Sequence, residues 1–322
     1  MGKMLRGLFL ALLSTASLAV FAQAGYPNRP VRIIVGFPPG GVTDVIARVM
    51  ANEMQKELQQ PFVVENRPGA SGIIAAEQVT KSPADGHTLF FIPSTHTVHP
   101  ALRSEMPYDT VGDFTAITLL VTAPNLLVVR ADAPWKDVKE FIAAARAKAG
   151  GIMWASSGIG VSTHLGGELF AHLAGIKLYH VAYKGSSAPV EAVMAGQVQA
   201  SVSAVNAALP HIKSGRVRPL AVAAEKRSLF LPDVPTFEEA GVKGMRSETW
   251  IGVLGPAKLP RPVATKLNEL FMRLITRPDM RERIAAVGAE PVGVELEKFA
   301  ALMREEVELN RRLVKAAGIK PE

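Results

Sequence analysis

Two loops in this 322-residue chain combine glycines and hydroxyls immediately before a run with helical spacing. The first is Gly36-Phe37-Pro38-Pro39-Gly40-Gly41-Val42-Thr43-Asp44, and the second is Ser156-Ser157-Gly158-Ile159-Gly160-Val161-Ser162-Thr163-His164. Each follows a short apolar run, so each reads as strand, polar turn, helix. The N–H groups of a helix's first turn lack intrahelical partners, and the helix dipole is positive there, which suits an anion. Glycine lets the backbone come close to a ligand, and a serine or threonine hydroxyl adds a donor. Small carboxylates are the chemistry that both loops share. For the first loop the plain alternative is a capped helix start with glycines serving only the turn. Asp44, itself an anion, is assigned to holding that loop and capping its helix, whereas Thr163 is expected to spend its hydroxyl on the ligand.

Other residues invite chemistry less strongly. Ser94-Thr95-His96 ends the third expected strand and Tyr183-Lys184-Gly185 ends a later one, so each either lines the same cleft or forms a solvent-facing turn. Ser71, inside Pro68-Gly69-Ala70-Ser71-Gly72, is also a candidate for the ligand site. It lacks the G-x-S-x-G elbow of a nucleophile, and a helix cap is the better reading. His164, Glu168 and His172 share a helical face without the H-E-x-x-H pattern, so surface pairing is expected and no metal site. The first loop has no Gly-Lys-Ser/Thr and the second no complete G-x-G-x-x-G, so neither a nucleotide nor any other cofactor is expected. Serines, His96, His99 and Asp44 leave a secreted small-ester hydrolase as the competing reading, although no nucleophile, base and orienting acid stand at a recognised spacing.

The elements that must position these loops alternate between strand and helix. Strands are expected over residues 31–35, 62–65 and 88–92, with helices over 44–58 and 72–81 between them. The apolar stretch 117–129, broken by Pro124, is too long for one ordinary strand and reads as chain leaving one sheet for another. A second series follows, with strands at 152–155, 178–182, 198–202 and 220–223 and helices at 135–148, 163–174 and 189–195. The strand 250–254 returns, and helices over 261–275 and 295–317 close the chain. The expected fold is α/β, with two open, mostly parallel sheets in two lobes joined by a double-crossover hinge. Residues 25–125 and 250–322 form the first lobe and 126–249 the second. Such sheets bind ligands at the carboxyl ends of their strands.

The N-terminus has Lys3 and Arg6, an apolar run over residues 8–20 and the small-residue exit Ala22-Gln23-Ala24, a cleavable secretory leader over residues 1–24. Cleavage would start the mature chain at Gly25 and lower the formal charge from +7 to +5 by removing two cations. The absence of cysteine excludes thiol chemistry and disulfides, so stability rests on the core. The basic surplus is too diffuse for a nucleic-acid surface.

Taken together, these motifs resemble the Bug receptors, the solute-binding components of tripartite tricarboxylate transporters. The resemblance rests on Tyr26-Pro27 and Pro30, residues 37–44, Asn66-Arg67-Pro68-Gly69-Ala70-Ser71-Gly72, Pro107-Tyr108-Asp109 with Asp113-Phe114, residues 158–165, Tyr183-Lys184-Gly185 and Leu231-Pro232-Asp233-Val234-Pro235-Thr236. It implies a monomeric, non-catalytic periplasmic binding protein of type II that holds a carboxylate between loops 37–44 and 156–164. It also implies delivery to a membrane permease or signalling through a membrane sensor. Where the family often has Val-Asp-x-x-Phe-Asp, this chain reads Val198-Gln199-Ala200-Ser201-Val202-Ser203. With both acids missing, Gln199 and Ser203 are expected to leave one wall of the cleft without a partner for an ammonium group.

Overall fold

The computed structural model describes residues 25–147, 151–316 and 321, so the expected leader lies outside the described residues. β1 (Val31–Val35) opens the fold as a buried apolar run, as expected of a strand covered on both faces. α1 (Val42–Leu58) buries Ile46, Ala47, Met50 and Met54, the spacing of one apolar helical face. β2 (Phe62–Asn66), α2 (Ile73–Thr80), β3 (Thr88–Pro93) and α3 (Thr95–Leu102) continue the alternation up to β4 (Phe114–Arg130). The second series runs α4 (Val138–Ala147), β5 (Ile152–Ser156), α5 (Ser162–Ala174), β6 (Leu178–Ala182), α6 (Ala188–Met194), β7 (Ala200–Ala204), α7 (Val205–Lys213) and β8 (Val217–Val222). The return is β9 (Glu248–Pro256), followed by α8 (Arg261–Thr276), α9 (Pro278–Ala286), the short β10 (Glu290–Pro291) and α10 (Leu296–Ala316).

The strands run in the order β2-β1-β3-β9-β4-β7-β5-β6, with β8 and β10 added beside β4. β1 pairs in parallel with β2 and β3, and β5 with β6 and β7. The pairs made by the crossing strands β4 and β9 are antiparallel, because a strand that returns between lobes must reverse its direction. β4 is a single 17-residue strand that changes neighbours midway. Up to Pro124 it pairs with β9, and from Asn125 onward with β7 and β8. The exchange of sheets is thus where the sequence places it, but the strand does not break. Pro124 stands at the exchange itself, where its missing N–H disturbs the ladder least.

Two apolar clusters sit under each sheet. Val31, Met50, Phe91 and Phe271 belong to one in the first lobe, and Phe141, Trp154 and Phe170 to one in the second. α10 packs on both lobes: Phe299 and Met303 enter the first, Leu313 and Val314 the second. α5 lies close to its sheet because of paired glycines. A Cβ on Gly167 would stand 2.0 Å from the Trp154 ring, and one on Gly166 would stand 2.2 Å from Ser247 Oγ. This close approach brings the start of α5 against the interlobe crossing.

α3, α7 and α9 have no counterpart in the sequence expectations. α3 and α7 carry Pro100 and Pro210 internally, and α9 is a polar segment that buries Met280 and Ile284. Such segments owe their helicity to packing rather than propensity. Ser71 does not cap α2. It is exposed, with φ of 55°, and Gly72 takes the cap position with no side-chain bond.

Candidate functional site

Between the two sheets lies a cavity of about 260 Å³, bordered by both lobes and both crossings. The starts of α1, α3, α5 and α7 all reach it, through Val42 and Thr43, Ser94 and Thr95, residues 161–163, and Asn206. β4 contributes Val121 and Thr122, and β9 contributes Thr249 and Ile251. Among the described residues, none of the side chains lining the cavity is ionisable. The polarity comes from hydroxyls, one amide and the first-turn N–H groups of helices, which together favour an anion without a fixed cation.

The second loop is a hydrogen-bonded frame. Thr163 Oγ1 accepts from Ser157 N at 3.1 Å and pairs with Ser157 Oγ at 2.8 Å. Ser162 Oγ pairs with Thr249 Oγ1 at 2.8 Å, tying the start of α5 to β9. Ser247 Oγ donates to Ser162 O at 2.9 Å and accepts from Asn125 Nδ2 at 2.8 Å. Thr163 therefore serves the loop as well as facing the cavity, which corrects the expectation that its hydroxyl serves the ligand alone. Thr163→Val should cost about 1 kcal/mol of ligand-free stability, since the part-buried Ser157 N–H loses its acceptor. Urea unfolding checks this, and an unchanged midpoint would return the hydroxyl to the ligand.

The other expected site residues divide clearly. Ser94, Thr95, Ser157, Thr163 and Ser203 line the cavity. Phe37, Pro38, Pro39, Gly40 and Gly41 do not: Phe37 packs on the first-lobe core and the next four are exposed, so this loop meets the cavity only through Val42 and Thr43. Asp44 also turns away. Its Oδ2 accepts from Gly40 N at 2.9 Å, its Oδ1 from Asn66 Nδ2 at 2.8 Å, and Arg48 pairs with it. Burial opposes its charge, but the bonds from Arg48, Gly40 and Asn66 hold the carboxyl below its usual range. It braces the loop, while the helix cap itself is Gly41, without a side-chain bond.

Ser156, Gly158 and His164 stand behind the cavity wall rather than in it. Ser156 Oγ bonds His180 Nε2 at 2.7 Å and donates to Gly158 O at 2.9 Å. His164 Nδ1 accepts from Gly160 N at 3.0 Å, and its ring stacks 4.0 Å from that of His180. Burial pushes His164 down to about 4, so it is neutral near neutrality. Tyr183 directs its hydroxyl to Gln197 Oε1, and Ser186 borders the cavity instead. Ser71 is absent from the lining, as is Gln199, whose Oε1 accepts from Met153 N at 2.9 Å. Nor does a hydrolytic set form around His96. Its Nε2 bonds Thr110 O at 3.0 Å, and burial pushes its pKa down to about 3, too low for a base near neutral pH.

Asn206 and the pair Val287 and Ala289 are lining residues that the sequence did not reveal. Asn206 Oδ1 and Thr95 Oγ1 are buried with no hydrogen-bond partner among the described residues. The signal for Asn206 was its place just after a strand, at the start of a helix, hidden because Pro210 obscured that helix.

A family model described as the tripartite tricarboxylate transporter family receptor matches residues 46–319. Protein BugT of Bordetella pertussis is 33% identical over 317 residues, covering 98% of this chain and 96% of that protein. A TctC solute binding protein from Polaromonas, solved without ligand, is similar with a TM-score of 0.83 at 27% identity, over 90% of this chain and 99% of that one. A protein of R. palustris solved with adipate gives a TM-score of 0.75 at 33% identity, over 92% and 100%. The Polaromonas protein is a solute binding protein, the two solved relatives share the fold of this chain, and the matching family is one of receptors rather than enzymes. Given a match over most of its length and an uncharged interlobe cavity met by helix starts from both lobes, the chain belongs to the tripartite tricarboxylate transporter receptor family.

Proposed function

We propose that this receptor captures a small organic carboxylate in the interlobe cavity and presents it to a membrane permease of the tripartite tricarboxylate type. The observation that carries the reading is the cavity wall: helix starts from both lobes, hydroxyls between them, and no ionisable side chain. A carboxylate there accepts from several donors at once, and charge-assisted bonds of this kind are stronger than neutral ones. A relative solved with adipate supports the ligand class. In this reading the lobes are residues 25–125 with 250–322, and 126–249. They close by bending at β4 and β9, and the leader over residues 1–24 directs the chain to the periplasm. Native mass spectrometry of protein purified without denaturation should release an organic acid of low mass. A sugar, a peptide or an amine as the sole released ligand would refute the reading.

A further inference from the structure

Residues 287–290 connect α9 to β10 and bridge the two lobes beside the cavity. The segment is fixed in the first lobe, since Glu290 and Pro291 pair with Thr122 and Val121 of β4 and Val292 N donates to Leu120 O at 3.0 Å. Val287 and Ala289 turn their side chains to the cavity. Between them, Gly288 has φ of 69° and lies against the second lobe so closely that a Cβ there would stand 2.1 Å from Asn206 Cβ. The next residue makes the polar clasp: Glu290 Oε1 accepts from Ser228 Oγ at 2.6 Å and from Leu229 N at 2.9 Å. Ser228 is 2% exposed, and its Oγ also accepts from Phe230 N at 3.2 Å, so the clasp's second-lobe half is held in place.

Asn206 in α7 and Ser228 and Leu229 in the loop after β8 all belong to the second lobe, opposite the first-lobe strand β10. We propose that residues 287–290 form a strap that holds the cleft closed over its ligand, with Glu290 as the residue that sets how long the ligand stays. The inference rests on the carboxylate reading above. Opening must break two hydrogen bonds to one carboxylate oxygen and lift Gly288 from Asn206. None of these contacts is to the ligand, so losing them shortens the closed state without altering the groups that recognise the acid. The effect therefore falls on release rather than capture.

Stopped-flow fluorescence with adipate, glutarate and benzoate as probes tests this on the full mature chain. For any probe that binds, Glu290→Ala should raise the release rate about 10-fold and leave the association rate within about twofold. Glu290→Gln, which keeps an acceptor oxygen, should restore most of the slow release. Ser228→Ala should raise release as well, and combining it with Glu290→Ala should add little, since both remove the same clasp. A wild type that binds a probe alongside a Glu290→Ala variant that releases it equally slowly would overturn the strap and leave the carboxylate reading standing. Binding of none of the three acids by the wild type would overturn that reading and the strap with it.

Discussion

Glutarate should bind at least about 100-fold more tightly than glutamate, although the two differ by one amine. Among the described residues the cavity wall contains no aspartate or glutamate, so an ammonium placed in it meets hydroxyls and an amide but no countercharge. Taking an ion out of water without a paired charge costs several kcal/mol, and about 1.4 kcal/mol is already a factor of ten. Ser203 lines the cavity and shares a 3.1 Å hydrogen bond with Ser201 Oγ, so it offers a hydroxyl and no charge. Gln199 plays no part in this selectivity, because its amide oxygen is held by Met153 N outside the cavity. Competitive calorimetry with the two acids decides the matter. Equal or tighter binding of glutamate would show that a charge outside the lining reaches the amine.

The parts of this site that could be read from sequence are those where chemistry and local pattern coincide. The loop 156–163 announces itself by its glycines and hydroxyls between a strand and a helix, and Ser157 and Thr163 do face the cavity. The loop 37–44 has the same pattern, yet its glycines and prolines shape a turn that points outward, and only Val42 and Thr43 arrive at the site. Pattern identifies a helix start but not which side of the turn meets the ligand. Asn206, Val287 and Ala289 were illegible for another reason. They are brought together by the packing of one lobe on the other, and their neighbourhood is hard to read because α7 is interrupted by Pro210 and α9 is a short polar helix. β4 shows both sides: its length revealed the crossover, whereas the survival of an unbroken strand through Pro124 depends on neighbours that sequence alone does not place.

Glu306→Gln should stabilise the protein at mildly alkaline pH and leave it unimproved in acid. Glu306 on α10 accepts from Trp250 Nε1 at 2.8 Å and from Thr97 Oγ1 at 2.9 Å, beside the partly covered Glu248 at the start of β9. Burial pushes the Glu306 carboxyl up to about 7, against the opposing pull of the bonds from Trp250 and Thr97. Burial, then repulsion from Glu306 and Glu290, raises Glu248 to about 7 as well. A carboxyl raised on folding binds more protons in the folded chain than in the unfolded one. Its favourable contribution is therefore complete below about 4.5, the ordinary glutamate value, and is lost as pH rises through about 7. Glutamine keeps an oxygen for Trp250 and Thr97 without ever ionising. At about pH 8 the variant should gain about 2 kcal/mol over the wild type, somewhat less than the full shift implies because some water reaches the site. At about pH 4.5 the gain should vanish. His96, His99 and His164, whose pKa values burial lowers, titrate alike in both proteins and cancel in the difference. Urea midpoints at the two pH values read it directly, and a difference independent of pH would show that Glu306 is not charged at a cost.

The central claim is that a carboxylate sits between the helix starts of the two lobes, and a crystal structure of the mature protein with its bound acid tests it most directly. The account predicts carboxylate oxygens within hydrogen-bond distance of first-turn N–H groups of both α1 and α5, with Thr43 and Thr163 beside them and the strap at residues 287–290 closed. An acid bound through lysine or arginine side chains, or held by one lobe alone at a site outside this cavity, would contradict it.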